Sequence, residues 1–130
     1  MKQITMMDKY PAVTLTIEKS ETTYSNVDEI LGYLKEAIEA HPIAAYIGEF
    51  DHYSHTSNLE VGEIAEDILD AKNIICCFGK VLPKPEMLAV RPRAIGVAEM
   101  KEHFVVSFME APNPDAHATM EKWVKGIVNK

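Results

Sequence analysis

A chain of 130 residues with 47% hydrophobic content fits a single domain, residues 1–130, and is too short for two independent cores. Glu49, Asp51, Glu60, Glu63, Glu66, Asp67 and Asp70 fall in a stretch without Lys or Arg; elsewhere 13 acids balance 13 bases, leaving a net charge of −7. Such a field repels phosphate backbones and anionic lipid, which argues against nucleic-acid and membrane partners, and with no secretory or membrane-spanning apolar run the expected location is cytoplasmic.

Val13, Leu15 and Ile17 alternate with Thr14, Thr16 and Glu18, the period of a half-buried strand. Ser25 and Asp28 offer a helix cap, after which Val27, Ile30, Leu31, Leu34, Ala37 and Ile38 recur at helical spacing until His41-Pro42 stops the helix. Ile43 to Phe50 is apolar apart from Gly48 and Glu49 and reads as a second strand buried on both faces or against a partner. Its end delivers Asp51 and His52 to a loop, Tyr53-Ser54-His55.

Ser57 and Glu60 form a capping-box pattern, with Val61, Ile64, Ala65, Ile68 and Leu69 as the apolar side of a second helix. The acids occupy its other side, as a solvated face or a surface recruiting a basic partner. Ile74 to Phe78 reads as a third strand, and Pro83, Pro85 and Pro92 punctuate the connection that follows, from which Leu88 is expected to cover the core. Ala94–Met100 and Phe104–Met109 form a hairpin. Asn113-Pro114 then opens a C-terminal helix with Ala116, Met120, Trp123, Val124 and Ile127 on its inner side. The order β-α-β-α-β-β-α predicts an α+β fold, with helices packed on a mixed or mostly antiparallel sheet.

Several of these residues resemble, in order, a pattern of the small bacterial and archaeal family called domain of unknown function 302. Phe50-Asp51-His52 stands where that family has a strand ending in Ile-Asp-His. Phe78-Gly79 matches part of its Phe-Gly-Asn-Pro, with Lys80-Val81 replacing the last pair. Pro92-Arg93 with Val97 and Glu99 matches its proline and Val-x-Glu strand, and Ser107-Phe108 is close to its Ser-Tyr. The resemblance spans roughly residues 10 to 115; it implies a compact α+β fold and homodimerisation, and no reaction.

The residues at the expected strand ends carry the chemistry. Asp51, His52, His55, Phe78, Gly79 and Arg93 are expected to converge on a shallow site for a small polar ligand or a cation, with His52 as the contact and Asp51 orienting its ring. Glu49 adds a carboxylate, and the HxxH spacing of His52 and His55 lets two rings converge on an ion in a turn or helix but not in a strand. No spacing marks a third ligand, so the identity of any metal or cofactor is unknown. The competing reading is an enzyme with His52 as general base and Cys77, or Cys76, as nucleophile. That reading requires the second and third strands to lie side by side with their C-terminal ends together. Arg91 and Arg93 flank Pro92 as an anion fork, or as partners of surface carboxylates such as Asp51 or Glu99.

Overall fold

The computed structural model describes all 130 residues. Its strands are β1 (Lys2–Met6), β2 (Tyr10–Glu18), β3 (Ala45–Phe50), β4 (Asp70–Cys77), β5 (Arg93–Glu99) and β6 (His103–Met109). Its helices are α1 (Val27–Ala40), α2 (His52–Ser57) and α3 (Pro114–Lys125). The strands form one sheet in the order β1-β2-β6-β5-β4-β3, and every neighbouring pair is antiparallel, so the expected α+β class holds with the sheet wholly antiparallel.

The first strand, the first and last helices and the late hairpin form where their patterns place them. Val13 and Ile17 of β2 are buried, and α1 buries Val27, Ile30, Leu31, Leu34 and Ile38 against the sheet. Its cap lies one residue later than expected: the Asn26 side chain accepts from the Glu29 amide at 2.9 Å, while the Glu29 carboxylate accepts from the Ser25 amide. Asn113 caps α3 through the amides of Asp115 and Ala116, and Met120, Trp123 and Val124 bury its inner side. Both helices cover the sheet face that carries Ile74, Ile95, Val97, Phe104, Val106 and Phe108, which is the core.

Four expectations are corrected. β1 is an additional strand, joined to β2 through Met7 and Asp8 at φ 52° and 60°, a left-handed pair of the kind that closes tight hairpins. β3 is not buried on both faces: it is the sheet edge, bulged between Tyr46 and Gly48, with Ile47 and Phe50 exposed. Leu88 does not cover the core and is 63% exposed, in a 3-10 turn over Pro85–Val90.

The helix expected after Ser57 does not form. Instead six residues directly after β3 make α2, and residues 58–69 cross the sheet without a regular helix. Glu63 with Glu66 and Asp67, and Glu66 with Asp70, would stand three or four residues apart on one helical face, with no base to offset their repulsion. Gly62 instead lies so close to the chain that a Cβ there would collide with the Thr56 carbonyl.

Candidate functional site

α2 forms because Asp51 caps it. The Asp51 carboxylate accepts from the Ser54 amide and from the Ser54 hydroxyl, each at 3.0 Å, satisfying a donor that the first turn leaves free. The Ser54 amide bond is the main cause of an Asp51 carboxyl held below its ordinary value; the Ser54 hydroxyl and Lys72, 3.7 Å away, act in the same direction. Lys72 also donates to Asp28 at 2.7 Å, and that hydrogen bond leads in raising the lysine's pKa.

Asp51 therefore orients the helix, not the His52 ring. The ring partner is Thr56, whose Oγ1 lies 3.0 Å from His52 Nδ1 one turn along α2. His52 is exposed and meets Phe50 and His55 in an aromatic cluster, with ring centroids 5.3 to 6.2 Å apart. The helical HxxH spacing brings the two imidazoles near each other, but no three His, Cys, Asp or Glu side chains gather anywhere in a metal-holding group.

His52 stands at one end of a cavity of about 330 Å³ between α2, the 58–69 connection and the sheet face opposite the core. The register across the sheet explains why the cavity exists. One transverse row runs Phe50, Asn73, Gly96, Ser107, Thr14, Lys2, and the next runs Ala71, Ala98, Val105, Thr16. Ala71, Ala98 and Gly96 stop short of the overlying connection, while Ile64 and Ile68 reach down from it to supply an apolar ceiling. A Cβ on Gly96 would meet the Asn73 carboxamide nitrogen at 3.3 Å, so the missing side chain lets that amide lie across the floor. Asn73 and Ser107 thus offer a carboxamide and a hydroxyl, each able to donate and accept, in a mostly apolar groove open to solvent on one side.

Antiparallel pairing divides the six residues expected at one site. Asp51, His52 and His55 lie at the end of the sheet where Phe50 pairs with Asn73; Phe78 and Gly79 follow Cys77, which pairs with Ala45 at the other end, and Arg93 pairs with Cys76 there. The Phe78 ring stacks on Trp123 at 5.4 Å. Arg93 faces neither Asp51 nor Glu99: its guanidinium donates to the carbonyls of Met109, at 2.7 Å, and Glu110, at 3.0 Å. Burial pushes the guanidinium pKa down. Arg91 binds the Val81 carbonyl, so neither arginine forms the expected carboxylate pair or a free anion fork.

The same pairing keeps both cysteines away from His52. Cys77 lies four residues along β4 from Asn73, about 13 Å of extended chain. Cys76 is buried, and burial pushes its thiol up to about 11, the reverse of nucleophilic activation. Asn73, Gly96 and Ser107, the polar floor and its clearance, were not anticipated from sequence. The available signal was Ala94-x-Gly96-x-Ala98 alternating with Ile95 and Val97, a strand with one face of small residues.

The model of a family described as "Family of unknown function (DUF6858)" matches residues 1–129. This replaces domain of unknown function 302 as the family, while the broader reading, a domain of unknown function, stands. No curated protein and no solved structure matches the chain. No helix is long and apolar enough to cross a membrane.

Proposed function

We propose, for a chain that belongs to the family of unknown function DUF6858, that it is a binding module for a small molecule with a compact apolar body and one hydrogen-bonding head. The carrying observation is the cavity of about 330 Å³ over Gly96, within the size range of small-ligand sites and with their usual lining of apolar groups around a few polar ones. The body rests on Ala71, Ala98 and Val105; the head meets Asn73 or Ser107, with His52 at the mouth. Of the residues expected from sequence, His52 alone lines this cavity, and its neighbour Asp51 supports the site by anchoring α2.

The test is a ligand-observed NMR screen of small aromatic and aliphatic alcohols, amides and carboxylic acids, run on the wild type and on Gly96→Leu. Gly96 lies in β5 without a left-handed φ, and a Cβ there presses only on the end of the Asn73 side chain, at 3.3 Å, which must shift by a few tenths of an ångström, so the leucine side chain extends into the cavity rather than into the core. Fragments should bind the wild type and lose tenfold or more of their affinity in the variant, with the fold retained. Equal binding to both proteins contradicts the reading.

A further inference from the structure

We propose that a second copy of this chain docks on the open sheet face, with residues 79–91 of each copy lying over the acidic connection, residues 58–70, of the other. The two segments are complementary in both charge and apolar surface. The first carries Lys80, Lys84 and Arg91 against Glu86 alone, and the second carries Glu60, Glu63, Glu66, Asp67 and Asp70 with no base. Each also exposes aliphatic side chains: Val81, Leu82 and Leu88 on one, Leu59, Val61 and Leu69 on the other, with Val61 88% exposed. Exposed apolar groups clustered beside charge mark a surface that meets a partner. The basic segment is held in shape, since the Arg91 guanidinium donates to the Val81 carbonyl at 2.8 Å.

Topology selects the orientation. The acidic connection ends where β4 begins, at Asp70, and the basic segment begins just past its end, at Cys77. They occupy opposite ends of one strand, about 25 Å apart at 3.3 Å per residue. A two-fold axis along the strands would stack acidic connection on acidic connection. An axis across the strands lays each basic segment over the other copy's acids, and a two-fold interface makes that contact twice. The sheet face beyond the cavity floor, β1 and β2, spans on the order of 200 Å². That is about a quarter of what each partner buries in a stable dimer, so the two segments must supply the larger part.

The experiment is sedimentation velocity on the full chain over a concentration series, at low and high ionic strength. Two surface variants accompany it, Lys80→Glu with Lys84→Glu, and Glu60→Lys with Glu63→Lys and Glu66→Lys, which turns the acidic segment net positive, each checked for fold by circular dichroism. The wild type should dimerise, with an affinity that falls at least tenfold as salt shortens the reach of charge. Each variant alone should sediment as a monomer. An equimolar mixture of the two should dimerise again, because both cross-contacts then pair opposite charges. A wild type that stays monomeric, or a dimer indifferent to both variants, overturns the proposal; loss of the dimer in each variant without recovery on mixing overturns the assigned pairing.

Discussion

Asp51 shows how far a single side chain's role depends on which neighbour it finds. A carboxylate next to an imidazole in sequence invites a pairing between them, yet the adjacent backbone turns into a helix and the carboxylate takes the Ser54 amide and hydroxyl instead. Because its carboxyl is held below the ordinary value of 3.8, the ionised form stabilises α2. That contribution is complete above pH 4 or so and is lost as pH falls through the lowered folded value. Amide exchange at Ser54 should therefore speed up in acid relative to the core strands. Asp51→Ala should show the faster relative exchange already at neutral pH, whereas Asp51→Asn, which keeps an acceptor, should lie between. Identical protection of the Ser54 amide in all three proteins would contradict the cap.

At the scale of elements, the legible parts were those whose partners are local or whose periodicity is simple. Val13, Leu15 and Ile17 mark a strand, and Ile30, Leu34 and Ile38 a helix face, because burial on one side writes itself into spacing. The segment from Leu59 to Leu69 carries apolar residues at helical spacing as well, but its acids would crowd one another on a helix and the open sheet face draws Ile64 and Ile68 into an irregular crossing. β1 was illegible for the opposite reason. Its residues are mostly exposed, and its turn uses Met7-Asp8 where Asn-Gly would have announced a hairpin. A left-handed conformation costs an ordinary residue roughly 1 kcal/mol. Met7→Asn with Asp8→Gly should accordingly raise stability by about 1 kcal/mol in urea unfolding, with an unchanged slope. A loss of stability would mean that those side chains make contacts outweighing the strain.

For the whole molecule, the site is a product of register rather than of any motif. Phe50, Asn73, Gly96 and Ser107 come from four strands, and only the antiparallel order β6-β5-β4-β3 aligns them. A strand pairing with ends together would have placed Phe78, Gly79 and Arg93 beside His52; the observed pairing sends them to the far end and leaves a floor of small residues under α2. Sequence singled out His52, which stands at the mouth of the cavity, and did not single out the floor, whose members share no local pattern beyond the small side chains of β5. The most direct measurement is intermolecular nuclear Overhauser contact between the tightest-binding fragment and the methyl groups of the isotopically labelled protein. Contacts to Ala71, Ala98, Val105 and Ile64 are expected. Contacts confined to Val81, Leu82 and Leu88, with none to the small-residue floor, would contradict it.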